Sequence, residues 1–437
     1  MKKRSALSGF VPYLWWVNAW LKETFAALAY RNFRVQWLGG LSSFVAFFMA
    51  MIVQSVVAFD ISGDNEAVGL VVAGQGFAMA ALGPLGGAFA DRWPKRRVIA
   101  IAQGLTVITF VLNAFLIATN QITIEWLALG SVVIGATLAF LGPARQSLSV
   151  ELVPREMRSN AMAVSNVANT GARVVGPAVA GALLVWPAVG AVGTYLCMAF
   201  LYATSAISLL LLPKSMVREG AQEKPVFADI WEGLRYLARH PQLRLLVALF
   251  VLVILAGFPH VTVLPGLVEN VYGLAAADVS VLFVASAIGA LSASLFVARF
   301  STSPNAHWIY IGHGLLFGFS LLGLAVAPTF EWLTVGMFLV GFGSGGFQSL
   351  NAAVIAHHTE ADYMGRVMSL VVIAFAGFGL MSLPYGILAD WLGEPRTLLI
   401  MGAAVLMICA GFGFLLRRVG DDAQASVSEE NGTALSP

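Results

Sequence analysis

A short turn that carries one acid and four bases separates the apolar stretches at 66–90 and 98–118. Groups of this kind form ion pairs and bind helix ends, contacts that are weak enough to break and re-form. Gly87 stands one helical turn before Asp91, which puts a small residue beneath a carboxylate where a second helix can pack closely. A charged connection this short between two bilayer-length stretches predicts a turn at a membrane face, and its four cationic residues predict the cytoplasmic face. Its charged members are Asp91, Arg92, Lys95, Arg96 and Arg97.

The composition is that of a membrane protein. Apolar residues make up 59% and charged residues 11% of the 437 residues, and the charged share is about half that of a soluble domain. Cys197 and Cys409 lie in apolar stretches and indicate neither a disulfide nor a metal site. The loops hold no paired carboxylates, metal-ligand cluster, phosphate-binding loop or nucleophile beside a base. We therefore predict neither an enzyme nor a bound metal, cofactor or nucleic acid.

Twelve apolar stretches are long enough to cross a bilayer. Six precede a polar gap and six follow it, which predicts an all-α membrane protein built from two six-helix halves. We number the stretches span 1 to span 12. They cover approximately 33–60, 66–90, 98–118, 125–150, 160–186, 190–212, 243–268, 279–299, 306–328, 331–356, 366–389 and 396–416.

Lysine and arginine are distributed unevenly between the two sides that these spans define. If the chain starts inside, the inner segments carry nearly all of the basic residues outside the spans, whereas the outer loops carry only Arg396. Cytoplasmic loops of membrane proteins are enriched in Lys and Arg, so we expect both termini in the cytoplasm. An even number of spans agrees with that orientation.

Three segments lie outside the two halves, which extend over 31–212 and 243–417. Residues 1–30 contain an interrupted aromatic stretch, which predicts a helix on the inner membrane surface, with a thirteenth span as the alternative. Residues 213–242 begin as a polar linker and continue with apolar residues at spacings of three and four, a pattern typical of an amphipathic surface helix. Residues 418–437 are polar and predict a disordered cytoplasmic tail.

An internal repeat relates the two halves at an offset of about 206 residues. The segment from Arg158 into span 5 matches the segment from Met364 into span 11, and Ala298 stands where the first half has Asp91. With the charged turn, in which Pro94 replaces a family glycine, this repeat makes the chain resemble the major facilitator superfamily. The resemblance implies two pseudo-symmetric halves that bind substrate between them and open alternately to either side of the membrane.

The resemblance also implies how the charged turn acts. In the family arrangement span 2 ends beside the start of span 11, so Asp91 would bind the N-terminus of that helix near Arg366. Glu151, at the end of span 4, would anchor Lys95 or Arg96. Because Ala298 replaces the acid in the second half, we expect this gate on one side only. The predicted gating residues are Gly87, Asp91, Arg92, Lys95, Arg96, Glu151 and Arg366.

A second motif, in span 5, resembles one associated with antiporters and exporters of the superfamily. Pro177 removes an intrahelical hydrogen bond, and the glycines permit close packing against a helix of the other half. Arg173 has no acid in its own span, and a charge at mid-membrane costs at least ~2.5 kcal/mol. Two roles are open for Arg173. It has a functional role, in which it faces the cavity or a carbonyl between the halves, or it has a structural role within the bundle. The motif comprises Gly171, Arg173, Gly176, Pro177 and Gly181.

Segments around Arg145, Arg239 and Gly365 resemble a bacterial exporter branch that includes enterobactin exporters and macrolide-efflux proteins. This resemblance implies a secondary transporter of the bacterial cytoplasmic (inner) membrane that exports small amphipathic molecules, drug-like or siderophore-like. Proton-coupled antiport is the expected mode, although span 4 begins at Glu125 without the arginine that other drug-exporting branches carry. We expect a monomer whose partners are the solute, protons and the lipid bilayer. A flippase for lysophospholipid or lipid, and a non-transporting membrane sensor, are the alternatives.

By family architecture, spans 1, 4, 7 and 10 line the substrate cavity. The wall that they predict is mostly apolar and aromatic with a few hydrogen-bonding groups, which suits amphipathic solutes. His260 has a side chain that can titrate between about pH 5 and 8, but a histidine beside Pro259 also fits a structural hydrogen bond. The candidate cavity residues are Gln54, Arg145, His260, Phe342, Gln348 and Asn351.

Overall fold

The computed structural model describes residues 24–212, 226–300, 303, 306–360 and 363–433, with the backbone alone at 84–92, 226–230, 352, 356, 365, 369, 372 and 419–433. Within that part of the chain every regular element is helical, and 12 helices are long and apolar enough to cross a membrane. The predicted fold class and number of spans are therefore confirmed. The shortest unbroken helices among these spans, Val279–Ala298 and Ala306–Ala325, have 20 residues, about 30 Å at 1.5 Å per residue, which matches the hydrocarbon thickness of a bilayer.

Each span keeps the position that hydropathy predicts. Spans 1 to 6 are the helices Arg31–Ser62, Asn65–Arg92, Lys95–Ala118, Ile124–Glu151, Arg158–Val185 and Gly190–Leu210. Span 7 is broken into Pro241–Gly257, His260–Gly266 and the π-helical turn Leu267–Val271. Spans 8 to 12 are Val279–Ala298, Ala306–Ala325, Phe330–His357, Met364–Leu392 and Glu394–Thr433.

The spans pack as two bundles with the same internal arrangement. In the first half, span 1 packs against spans 5 and 6, and span 3 packs against spans 4 and 6. In the second half, span 7 packs against spans 11 and 12, and span 9 packs against spans 10 and 12. Each half is filled by fully buried aromatic side chains, such as Phe110 and Tyr195 in the first and Phe250 and Phe317 in the second. The halves meet where span 2 packs against span 11 and span 5 against span 8.

The two ends of the bundle are distinguished by a short surface helix, Val226–Arg239, which precedes span 7. We call it the linker helix, the end of the bundle where it lies the linker face, and the opposite end the far face. A helix thus occupies the position of the predicted amphipathic helix. Pro241 begins span 7 at the first helical position, where its missing N–H has no cost. The linker helix packs against span 11, and the Glu232 carboxylate lies 2.9 Å from the Arg366 guanidinium.

The C-terminal end of the chain differs from its prediction, and most of the N-terminal segment lies outside the described residues. The last helix continues past Arg418 to Thr433, where the composition predicted a disordered tail. A helix that is already nucleated in the bundle needs only propagation to extend, which the polar residues of this segment permit. Residues 1–23 lie outside the described residues, and with them most of the predicted surface helix. The chain from Thr24 is held to span 5, because the Asn160 side chain donates to the Thr24 carbonyl and accepts from the Ala27 N–H, both at 2.9 Å.

Candidate functional site

A cavity of about 300 Å³ opens in the first half, among spans 1, 4, 5 and 6. We call it the N-half cavity; its walls come from the linker-face ends of spans 1, 4 and 5. Aromatic rings of Trp37, Phe44 and Phe47 form its span 1 wall. Span 1 also contributes the polar Gln36, and the polar groups on the other walls include Arg145, Gln146, Ser149, Asn166 and Asn169. Gln146 and Asn166 are exposed, so the cavity is open to its surroundings.

Arg145 is the charged residue among the described residues that line this cavity. Its guanidinium lies 4.9 Å from the centre of the Phe44 ring, and Nη2 donates to Ser43 Oγ at 2.7 Å. Ser149 Oγ donates in turn to the Arg145 carbonyl at 2.9 Å, which holds this turn of span 4. A guanidinium has several N–H donors in a planar fork, and a single hydrogen bond leaves most of them available. Arg145 is therefore positioned to bind an oxyanion that enters the cavity.

A second, smaller cavity of about 50 Å³ lies between the two halves. We call it the central cavity. Span 1 contributes Met51 and Gln54, one to two turns beyond the residues that line the N-half cavity, and spans 2, 7, 8 and 11 complete the wall. Gln54 Nε2 is buried and has no hydrogen-bond partner among the described residues. The two cavities thus follow one another along span 1, from the linker face toward mid-membrane.

Arg173 contacts span 1 at a level between the residues that line the two cavities, although it lines neither of them. Its guanidinium is 5.5 Å from the centre of the Phe48 ring, and Phe48 follows Phe47 of the N-half cavity and precedes Met51 of the central cavity. Within the described residues, Arg173 has neither an ion pair nor a hydrogen bond. Pro177, four residues on, also deprives the Arg173 carbonyl of its helical donor. Because its described partner is an aromatic face, the guanidinium N–H groups of Arg173 remain available to bind a solute.

The structure divides the glycine motif of span 5 between two neighbours. A Cβ at Gly176 would lie 2.6 Å from the Phe48 Cβ, so Gly176 packs against span 1 of its own half and not, as predicted, against the other half. Gly181 does face the other half, where it packs against the Ser280 side chain of span 8. Gly171 has no described neighbour within 4 Å of where a Cβ would lie. Span 5 turns its face by about 100° per residue, so glycines five apart cannot share one partner.

The far face is closed by a carboxylate that crosses between the halves. Asp390, in the last turn of span 11, caps the first turn of span 2: Oδ1 accepts from the Asn65 N–H at 2.8 Å and Oδ2 from the Glu66 N–H at 2.7 Å. The N-terminus of a helix carries partial positive charge and unsatisfied N–H groups, so a carboxylate is stabilised there by about 0.3–2 kcal/mol. This contact therefore favours the arrangement in which the halves touch at the far face.

A second acid extends this closure. Glu394 is buried at the start of span 12, and its Oε1 accepts from Asn65 Nδ2 at 3.0 Å and from Asn270 Nδ2 at 2.7 Å. These contacts join spans 2, 7 and 12. Below them, span 2 and span 11 approach closely through small residues, since a Cβ at Gly76 would lie 2.6 Å from the Gly379 Cα. The far face is thus closed by polar contacts at the surface and, beneath them, by the close approach of Gly76 and Gly379, which we call the far-face seam.

The linker face differs in its side-chain contacts, several of which join helices of one half or bind span 11 to the linker helix, against which span 2 also packs. Lys95 forms an ion pair with Glu151, which joins spans 3 and 4. Arg96 donates to the carbonyl of Leu212 at 2.6 Å, just after span 6. Arg366 pairs with Glu232 of the linker helix. Of the remaining predicted gating residues, the side chains of Gly87, Asp91 and Arg92 lie outside the described residues, so their contacts stay a prediction.

Comparison with known proteins agrees with this architecture. The family model for the Major Facilitator Superfamily matches residues 36–379, which is most of the chain. The chain belongs to the major facilitator superfamily. It is a multi-pass membrane transporter and not an enzyme, as the sequence predicted.

Several relatives in the superfamily are named for siderophores. The staphyloferrin A transporter of Staphylococcus aureus is 24% identical over 335 residues, which are 76% of this chain and 83% of the relative. The enterobactin exporter EntS of Escherichia coli is 26% identical over 365 residues, 81% of this chain and 84% of the relative. The predicted resemblance to the exporter branch is therefore confirmed.

Solved superfamily structures share the fold. The nucleoside transporter NupG matches with a TM-score of 0.69 at 14% identity, covering 86% of this chain and 98% of that one. A bacterial homologue of the lysosomal transporter Spinster, solved in an inward-facing conformation, matches with a TM-score of 0.66 at 17% identity, covering 89% and 96%.

Two of the predicted cavity residues line a cavity in the structure: Arg145 lines the N-half cavity and Gln54 lines the central cavity. The others line neither of them. His260 is buried, with Nδ1 2.9 Å from the Gly257 carbonyl and its ring against Phe317, so it has the structural hydrogen bond that the break in span 7 suggested.

The three candidates from span 10 also lie away from both cavities. Phe342 packs among Phe296 and His313 inside the second half, and Asn351 Oδ1 accepts from the Tyr310 hydroxyl at 3.3 Å. Gln348 is half-buried. Span 10 is apolar on most faces, so the sequence offered no asymmetry from which to predict the face that meets the cavity.

Several residues that shape the superfamily site were not predicted. Asp390 and Glu394 close the far face, and Asn166 and Asn169 line the N-half cavity. The sequence contains a signal for Asp390 and for the two asparagines. Asp390, in the last turn of span 11, opposes that helix's own dipole, which points to a partner elsewhere. Asn166 and Asn169, three apart, share one face of a membrane span.

Proposed function

We propose that this transporter exports small amphipathic molecules, drug-like or siderophore-like, across the bacterial cytoplasmic membrane by alternating access. The observation that carries the proposal is the contrast between the two faces. Asp390 of the second half caps span 2 of the first at the far face, whereas the N-half cavity opens near the linker face. Such an arrangement is one of the two states that a rocking pair of halves needs in order to take up solute on one side and release it on the other.

Export requires that the linker face lies in the cytoplasm. The basic residues support this orientation, since Lys95, Arg155, Arg158 and Arg239 are at the linker face and Arg396 is at the far face. In that orientation the cavity that opens near the linker face receives solute from the cytoplasm. The names of the relatives, an enterobactin exporter and a staphyloferrin A transporter, support a siderophore-like solute.

The energy source that we propose is the proton gradient. Proton-coupled antiport follows from the resemblance to exporters, but the described residues that line the two cavities include no Asp or Glu. A proton site at a gate rather than in a cavity is consistent with that absence. Asp390 and Glu394 at the far face, with Asp91 and Glu151 at the linker face, are acids at such positions.

Transport can be tested in inverted membrane vesicles that contain the protein. An inside-acid gradient should drive accumulation of an amphipathic dye or a siderophore, and a protonophore should abolish it. Uptake that persists after the protonophore would reject proton coupling and leave facilitated export. No difference from empty vesicles over a broad panel of solutes, with lipid analogues included, would favour the sensor, whereas movement of the lipid analogues alone would favour a flippase.

The orientation has its own test in intact cells. Cysteines placed at Asn120, in an exposed far-face loop, and at Arg155, exposed at the linker face, should differ in their reaction with a membrane-impermeant thiol reagent. We expect labelling at position 120 from outside and none at position 155. The reverse result would contradict export through this cavity.

A further inference from the structure

The N-half cavity has a net positive charge that no protein group in its wall neutralises. Arg145 lines it, and the described residues around it include neither an aspartate nor a glutamate. The hydrogen-bond partner of Arg145 is the neutral hydroxyl of Ser43. A charge within a membrane span is costly and normally has a counter-charge. A cation that lacks one in its own protein can obtain it from a ligand.

Arg173 repeats this arrangement one step further along span 1. Phe44 and Phe48 are four residues apart, so their rings lie on one face of span 1, and each ring supports one arginine. An aromatic face attracts the guanidinium and fixes its plane while it leaves the N–H edge free. That edge matches a carboxylate or a similar oxyanion. Two guanidiniums are thus held about one turn apart along span 1, Arg145 in the wall of the N-half cavity and Arg173 beyond it in the direction of the central cavity.

The remaining wall specifies what the rest of the ligand looks like. Trp37 and Phe47 offer apolar surface for a flat or aliphatic body. Gln36 Oε1 is buried without a hydrogen-bond donor among the described residues, so it can accept from a hydroxyl or amide of the ligand. Asn166 and Asn169 add further polar groups on span 5. The wall thus combines a cationic point, an apolar surface and hydrogen-bonding groups.

From this we infer that the N-half cavity binds organic anions, with an oxyanion of the solute on Arg145 and an adjacent apolar group against the aromatic residues of span 1. Arg173 provides the next anion contact on the way to the central cavity. The inference rests on the proposed function and narrows its solute class from amphipathic molecules in general to amphipathic anions. Cationic amphiphiles are excluded from this cavity by the same charge.

Direct binding to the purified full-length protein tests this without transport. The probes are a fluorescent naphthyl carboxylate and its uncharged carboxamide, which differ in charge and hardly in shape. A charge-assisted hydrogen bond predicts that the carboxylate binds at least about tenfold more tightly. Arg145→Gln should remove this preference, Arg145→Lys should retain part of it, and Arg173→Gln should reduce it less than Arg145→Gln does.

The matched control is Arg158→Gln, which removes an exposed arginine at the linker face and should leave the preference intact. Size-exclusion profiles and thermal unfolding of each variant verify folding. Equal binding of the two probes by the unmodified protein, no binding of the carboxylate, or an unchanged preference in Arg145→Gln would overturn the inference. A charge preference that depends on Arg145 in a protein inactive in vesicles would instead reject the proposed export and leave the anion site standing.

Discussion

The two faces of this transporter hold their helices together in different ways. At the far face, the Asp390 and Glu394 carboxylates of the second half bind the start of span 2 in the first half. At the linker face, the pairs Lys95–Glu151 and Arg366–Glu232 each stay within one half or its adjoining linker helix. Carboxylates thus join the two halves at the far face, whereas these two ion pairs at the linker face join helices of one half or bind a half to the linker helix.

This difference separates contacts that depend on the transport state from those that do not. A contact between the halves exists in one state of a rocking mechanism and is lost in the other, so it biases the equilibrium between the states by its own free energy. A contact within a half is present in both states and biases neither. The comparison therefore predicts which substitutions shift the transporter between states and in which direction.

The largest shift should come from Gly76→Leu. The leucine side chain would enter the space of Gly379, where even a Cβ comes within 2.6 Å of the neighbouring Cα. Overpacking of this kind costs about 1–3 kcal/mol, which would favour the state open at the far face by roughly 5–150-fold. Ser280, which is 7% exposed between spans 5 and 8, can report the change as a cysteine in a protein that lacks Cys197 and Cys409. Its labelling by a polar thiol reagent should rise, and export should fall sharply.

Gly83→Leu is the control for this prediction. Gly83 lies on the same helix, two turns nearer the linker face, and no described atom lies within 4 Å of where its Cβ would be. The same added side chain there should leave labelling at position 280 low. If both leucines raised the labelling equally, the far-face seam would not be the cause.

Asp390→Asn should open the far face to a smaller extent. The amide keeps the size of the side chain but loses the charge that the N-terminus of span 2 attracts, a loss of about 0.3–2 kcal/mol. Labelling at position 280 should therefore rise by roughly two- to thirtyfold. Asp64→Asn removes an exposed acid next to span 2 that has no described side-chain partner, and it should change nothing. An effect of equal size in both variants would indicate a general influence of charge.

Asp91→Asn should act in the opposite direction. If Asp91 caps span 11 at the linker face, as the superfamily resemblance implies, its charge stabilises the state in which that face is closed. Its removal should lower labelling at position 280 by about two- to fivefold and impair export with near-normal membrane insertion. Gly87→Leu should do the same by steric clash. The double variant Asp390→Asn/Asp91→Asn should return labelling toward its original value. Full export in both Asp91→Asn and Gly87→Leu would contradict a gating role for Asp91.

Most of the fold could be predicted from the sequence, because bilayer length and loop charge are properties of single segments. Spans 1 to 12 and the linker helix follow from hydropathy and from apolar spacing alone. The site could be predicted only in part, because it depends on which face each helix turns to its neighbours. Arg145 was found since a charge in a span is conspicuous. His260 and Asn351 are equally conspicuous, yet they make hydrogen bonds inside the second half.

The smallest effect on the balance between the two states is expected from the Lys95–Glu151 pair. This pair tests most directly whether a contact within one half leaves that balance unchanged. Lys95 is buried and Glu151 is partly exposed, with side-chain exposures of 8% and 37%, so the pair should contribute at most about 1 kcal/mol to stability. Each charge reversal, Lys95→Glu or Glu151→Lys, should lower the temperature of thermal unfolding, and the double reversal should restore it. Labelling at position 280 should stay unchanged throughout, since both residues belong to the same half.

Arg155→Glu, an exposed reversal at the same face, serves as the control. A shift in labelling with either single reversal would mean that the pair contributes to the gate between the halves, as the sequence predicted, and that contacts within one half also distinguish the two states.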